Sequence, residues 1–269
     1  MTTTTIQTTS SHTHIVPRGR LFAVLFGLGL LGVLSLLQLP VQLPAGVEAP
    51  LSPEVLRWLG LAQSALLVAI AVTIGLVTAP KVALAAPVAT ALVTGQSWWQ
   101  PLRGQWRAAL VGAALGALVL FIYGLLQPLL MPELLAAAQG TEMPLLLRVL
   151  YGGITEEILL RWGVMSLLVW LVWRVGQRGQ RAPHPGVVWS GNVLAALLFG
   201  AGHLPALAAF GVAFTVPMVL AVVIGNALAG IIFGWLYWRK GLEAAMLAHA
   251  GTHVITVFVS LPLLNLLLS

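Results

Sequence analysis

The residues able to do chemistry are few and close together. Seven Glu supply every side-chain carboxylate of this 269-residue chain, which has neither Asp nor Cys. Two of them, Glu156 and Glu157, are adjacent in Tyr151-Gly-Gly-Ile-Thr-Glu-Glu-Ile-Leu-Leu-Arg-Trp162, within an apolar run from about Leu145 to Trp173. That run is long enough to cross a bilayer, and a charge at its centre costs at least about 2.5–3.5 kcal/mol, so ionisable groups there face protein and work. Glu157 and Arg161 are four apart on one helix face, Glu first, the favourable order for an ion pair. Glu156, about 100° away, has no local partner. A desolvated carboxylate beside another carboxylate suits a general base or acid. The structural alternative is a buried polar staple between helices.

Three imidazoles lie in later apolar runs. His203 stands in Phe199-Gly-Ala-Gly-His203-Leu-Pro205, where the proline loosens the helix just beyond it. His249 and His253 are four apart and share a face, a spacing that suits two metal ligands or a pair lining a cavity. Each alone is as readily an interhelical hydrogen-bonder. An acidic pair and three His on three helices together point to one converging polar site. Glycines surround these groups, and small residues let helix backbones approach, although packing alone would also select them.

The elements that must position these groups are membrane helices. A composition of 59% hydrophobic and 7% charged residues excludes an ordinary soluble domain, where about 25% are charged. The fold class is all-α: a polytopic transmembrane helical bundle of seven or eight spans, with a polar catalytic cavity among the C-terminal helices. Residues 1–17, containing His12 and His14, read as a disordered tail. Residues 18–143 hold N-terminal transmembrane helices, and 144–269 form the catalytic core. Spans are expected at about Leu21–Leu39, Leu56–Thr78, Ala108–Leu126, Leu145–Trp173, Val187–Ala209, Val216–Trp238 and Leu242–Leu268. Lys81 to Arg107, with Trp98, Trp99 and Trp106, reads as interfacial, and Val82–Val93 as a short or re-entrant eighth helix. Glu48, Glu133 and Glu142 fall in loops. With the N-terminus cytoplasmic, ten of the thirteen Lys and Arg fall on the inner side (Arg18, Arg20, Lys81, Arg103, Arg107, Arg174, Arg178, Arg181, Arg239, Lys240). The charge of +6 is thus explained by orientation and gives no reason to invoke nucleic acid. Absence of Cys and short basic loops suit a bacterial inner (plasma) membrane.

The order Glu-Glu-x-x-x-Arg, then Phe-x-x-x-His, then a glycine-punctuated helix leading to His-x-x-x-Asn or Asp resembles the CPBP intramembrane proteases, which include CAAX prenyl endopeptidases and Abi-type proteins. Here the motifs are Glu156-Glu157-Ile-Leu-Leu-Arg161, Phe199-Gly-Ala-Gly-His203 and Gly230 through His249, and they cover about Leu145 to Ile255. The resemblance implies Glu156 as the water-activating glutamate, Glu157 and Arg161 as its support and His203 as the group that orients the water. It implies His249 as a polariser of the scissile carbonyl, with His253 completing the oxyanion site. His253 departs from the family's Asn or Asp; a neutral His can also donate to an oxyanion. The family is also called metalloprotease, and Glu156, His203, His249 and His253 would make a credible set for zinc or another divalent metal. Metal-assisted and metal-free mechanisms both stay open.

The reading with most support is an endopeptidase that hydrolyses a peptide bond of a membrane-associated protein or peptide. The alternative is a non-catalytic membrane protein of the same fold, acting in bacteriocin immunity or as a scaffold. A coupled transporter would also use intramembrane Glu and His, but the polar groups cluster in one half of the chain rather than in inverted repeats.

Overall fold

A computed structural model describes residues 16–41, 51–141, 143–208 and 210–268. His12, His14, Glu48 and Glu142 lie outside them. Among the described residues, six helices are long and apolar enough to cross a membrane: α1 Arg18–Gln38, α2 Pro53–Val82, α4 Trp99–Leu130, α6 Leu145–Gly176, α9 Val216–Lys240 and α10 Leu242–Leu268. A shorter apolar helix, α7 Pro185–Ala201, packs along α9. The remaining helices are α3 Pro87–Val93, α5 Pro132–Ala137 and α8 Leu204–Ala208. The protein is an integral membrane protein built as an all-helical bundle.

Three expected boundaries shift. The short helix expected within Val82 to Val93 is present as α3 but covers only Pro87–Val93, seven residues against the roughly 20 that a crossing needs. Nor is the segment up to Arg107 a separate interfacial element, because α4 already begins at Trp99 and runs on through Pro128. Trp98, Trp99 and Trp106 are nonetheless exposed near its start. Finally, α7 stops at Ala201 rather than near Ala209, and His203 sits in a turn after it, where the Gly202 N–H bonds the Leu198 carbonyl.

The helix bearing the two glutamates is not an ordinary α-helix. Arg148–Glu156 and Ile158–Met165 are π-helical, a form that is rare and concentrated at functional sites. One face of this widened helix is bolted to α1 and α2. Thr155 Oγ1 donates to the Gly29 carbonyl at 2.8 Å and Trp162 Nε1 to the Val72 carbonyl at 3.2 Å, with Ile158 and Met165 fully buried beside them. These anchors sit against glycines: a Cβ on Gly32 would strike Thr155, and one on Gly75 would strike Trp162. The opposite face carries Glu157 and Arg161 towards α9 and α10. The N-terminal helices therefore supply the backing against which the charged face is held.

One side of the bundle gathers basic residues. Lys81 at the end of α2 lies over the Trp170 ring near the end of α6, 5.3 Å from its centroid. Leu242 N–H donates to the Ala85 carbonyl at 3.0 Å, bringing the α9–α10 junction, with Arg239 and Lys240, to that same side. Glu243, in the first turn of α10, accepts a 2.8 Å hydrogen bond from Ala89 N–H and so holds α3 to the foot of α10.

Candidate active site

Glu157 is fully buried and held from two sides. Its Oε2 lies 3.2 Å from Arg161 Nε, and its Oε1 accepts from His249 Nδ1 at 2.8 Å. The first pair is the one the spacing predicts. The second joins α6 to α10 across 92 residues, and spacing gives no hint of it. Arg161, 1% exposed, also donates from Nη2 to the Gly230 carbonyl at 2.9 Å, and its guanidinium lies over Phe199 (5.0 Å) and Phe233 (5.7 Å). A buried charge is tolerable when paired, hydrogen-bonded and faced by aromatic rings, and Arg161 has all three.

The imidazoles form a connected group. His249 stacks on Phe233 at 4.5 Å and on His253 at 4.9 Å, while the Phe199 ring stands edge-on to His203 (4.8 Å) and His249 (5.9 Å). His253 is in electrostatic reach of His249, Arg148 and His203. Gly152 makes room for it, since a Cβ there would come 2.7 Å from His253 Nε2. Gly153 does the same for α10 itself, a Cβ there meeting the Ala250 backbone at 2.8 Å. The glycine pair preceding the glutamates is thus explained by close approach of α10.

Hydrogen bonding sets which nitrogen of each ring is left to accept. With His249 Nδ1–H given to the Glu157 carboxylate, a neutral ring presents the Nε2 lone pair, an acceptor. His203 Nδ1 is likewise engaged with the Phe199 carbonyl at 2.9 Å, leaving its Nε2 as acceptor. His253 Nδ1 is buried and has no hydrogen-bond partner among the described residues, as is Arg161 Nη1. Two imidazoles are thus acceptors and one has a free nitrogen. Glu156, half-buried at the end of the first π segment, accepts no hydrogen bond among the described residues and is in electrostatic reach of Arg161 and Tyr151. Geometry joins Glu157, Arg161, His203, His249 and His253 by direct contact or near approach, and Glu156 joins them through Arg161.

Two acceptor nitrogens and a free carboxylate are the right chemistry for a divalent metal. Their spacing is not: among the described residues, no three His or Glu side chains group so as to hold an ion. The donors fit zinc in kind but not in arrangement, and no step below passes through a metal.

Residues 139–255 match a family model described as Rce1-like, "Type II CAAX prenyl endopeptidase Rce1-like". That span contains both glutamates, Arg161 and all three site histidines. Over it, the chain is similar to the CAAX-protease (CPBP) family. No curated protein and no solved structure matches the chain. The class of activity that goes with this family is that of a membrane endopeptidase.

In this site several partners carry no ionisable group and escape notice in the sequence. Phe199 belongs to the Phe-x-x-x-His motif, but its work is spatial: its ring touches Arg161, His203 and His249 at once. Phe233 does similar work from α9. Asn192 Nδ2 donates to the Ile231 carbonyl at 3.1 Å, tying α7 to α9 just beside Gly230. Ser166 Oγ donates to the Arg161 carbonyl at 3.2 Å and pairs with the buried Tyr237 hydroxyl at 2.9 Å, securing the end of the π segment. An Asn or Ser–Tyr pair within apolar spans is the available sequence signal for such ties.

Proposed function

We propose that the protein is an intramembrane endopeptidase in which Glu156 activates water to hydrolyse a peptide bond of a membrane-associated protein or peptide. The observation that carries this reading is the division of labour within the acidic pair. Glu157 is fully buried, ion-paired with Arg161 and hydrogen-bonded by His249, whereas the half-buried Glu156 carboxylate has neither contact. A carboxylate locked in a buried ion pair is a poor base, and an open one near fixed positive charge and polar rings is a usable one.

In the proposed reaction, a water that donates one hydrogen bond to Glu156 and the other to the Nε2 lone pair of His203 or His249 attacks the scissile carbonyl carbon. Glu156 takes one of its protons as the C–O bond forms, and the carbonyl π electrons move onto oxygen. His253, whose Nδ1 has no other partner, donates to that oxyanion, and Arg161 adds fixed positive charge nearby. Glu156 then delivers its proton to the leaving nitrogen, the C–N bond breaks, and an acid and an amine result. This assignment moves His249 from carbonyl polariser to water-holder, because its donor proton is committed to Glu157. Arg161 and Glu157 act as positioning residues.

The site requires water within the bundle and a substrate segment that reaches it, so substrates are peptides or proteins at the bilayer. The gathering of Lys81, Arg239 and Lys240 on one side supports placing that side, and the N-terminus, in the cytoplasm of a bacterial inner membrane. New protein N-termini should be compared in membranes of cells expressing wild type or Glu156→Gln at matched, folded levels. Termini that vanish with the variant establish the protease and name its substrate. Termini unchanged by the variant refute Glu156 as the base and favour a non-catalytic immunity or scaffold role for the same fold.

A further inference from the structure

At the end of α9, away from the catalytic groups, lies a concavity of about 340 Å³ lined by Trp235, Trp238, Arg239 and Lys240. Its size falls at the small end of pockets that hold discrete ligands, about 300–1,000 Å³. Trp235 is 40% exposed and Arg239 and Lys240 are exposed, so the walls face the surroundings of the bundle. The guanidinium of Arg239 lies 5.2 Å from the centroid of the Trp238 ring, and that ring is braced edge-on by Trp189 of α7 at 6.2 Å. Such bracing fixes the cation in place and leaves its outer N–H fork free, a pre-organised arrangement for phosphate oxygens.

Two features reduce the negative charge that would oppose an anion here. The carbonyls of Leu236 and Tyr237, in the last turn of α9, both accept from Gly241 N–H, at 3.3 and 3.0 Å. Gly241 manages this at φ 113°, a backbone geometry that L side chains rarely adopt. The carboxylate closest in sequence, Glu243, turns into the protein and is bonded to Ala89 N–H. What remains is two tryptophans and two cations at the terminus of a membrane span, the depth at which indole rings meet lipid headgroups.

From this charge complementarity and position we infer that the pocket binds the headgroup of an anionic glycerophospholipid. Arg239 and Lys240 pair with the phosphodiester, and Trp235 and Trp238 pack on the glycerol and upper acyl chain. The site is separate from the proposed catalytic groups and does not depend on the protease reading. Basic pockets at span ends serve other membrane proteins in this way.

The test is native mass spectrometry of the full chain in mild detergent, titrated separately with phosphatidylglycerol, phosphatidylcholine and inorganic phosphate. Wild type should retain one phosphatidylglycerol in preference to phosphatidylcholine, with inorganic phosphate failing to displace it. The double substitution Arg239→Gln with Lys240→Gln should weaken phosphatidylglycerol binding roughly thirtyfold, from two cations near the headgroup. Exchange of the two cations, Arg239→Lys with Lys240→Arg, keeps the charge and should retain most of it. Equal retention of the two lipids overturns the inference, as does full displacement by inorganic phosphate, which would make this a free-anion site. Undiminished binding by the glutamine double variant overturns it too.

Discussion

Removing Arg161 without removing Glu157 should be among the most damaging single changes to this bundle. Arg161→Met keeps an unbranched side chain between Phe199 and Phe233 but deletes the cation 3.2 Å from Glu157 and the donor 2.9 Å from the Gly230 carbonyl. Glu157, fully buried, then retains only His249 as partner. Breaking a buried ion pair from one side costs about 3–5 kcal/mol because it leaves an uncompensated charge. The abandoned carbonyl adds up to about 1–3 kcal/mol, less any relaxation. Folded proteins hold about 5–15 kcal/mol in total, so the variant should unfold at markedly lower temperature or denaturant. Glu157→Gln alone should also be costly, since it strands the guanidinium. The double variant Glu157→Gln/Arg161→Met should be more stable than the sum of the two losses by at least about 2 kcal/mol, because no charge is then stranded. The assay is a double-mutant cycle on thermal or denaturant unfolding in detergent, followed by intrinsic tryptophan fluorescence. Additive losses, or a loss below about 1 kcal/mol for Arg161→Met, would refute a buried pair that organises the site.

Other substitutions separate packing from chemistry. Glu156→Gln should lower cleavage by about 10²–10⁴-fold, the usual worth of a general base, yet leave the unfolding temperature within error, since the carboxylate accepts no described hydrogen bond. Gly153→Ala should destabilise by about 1–3 kcal/mol through overpacking against the Ala250 backbone, whereas Gly104→Ala, with open space and a helical setting, should be neutral or stabilising by up to about 1 kcal/mol; thermal unfolding of both reads the contrast. Glu243→Ala should cost about 1 kcal/mol through loss of its bond to Ala89 N–H, and Glu243→Gln, which keeps an acceptor oxygen, should recover most of it on the same assay. Cleavage by glutamate-activated water should survive dialysis against a strong chelator; activity lost and then restored by added zinc would transfer water activation to a metal.

The parts of this molecule legible in the sequence were those with a strong one-dimensional signal. Apolar run length fixes the long helices, because a bilayer demands about 20 such residues whatever their packing. The Glu157–Arg161 pair was legible because it depends only on four-residue spacing within one helix. Where the physics is three-dimensional, the sequence was silent. His249 reaches Glu157 only because α10 lies against α6, a contact permitted by Gly152 and Gly153 and invisible to periodicity. The π geometry of Arg148–Met165 was missed for a related reason: ordinary helical spacing and π spacing both place Glu157 and Arg161 on neighbouring turns. The end of α7 was misplaced because Leu204 to Ala209 continues the apolar pattern, while the chain turns at Gly202 and His203. The same turn changes what His203 can do. Outside a regular helix its ring is tethered by its own chain, through the Phe199 carbonyl four residues back, and so offers Nε2 as an acceptor. Two readings are open for His203, an interhelical hydrogen-bonder and a group that orients water, and this tether is made within its own turn rather than to a neighbouring helix.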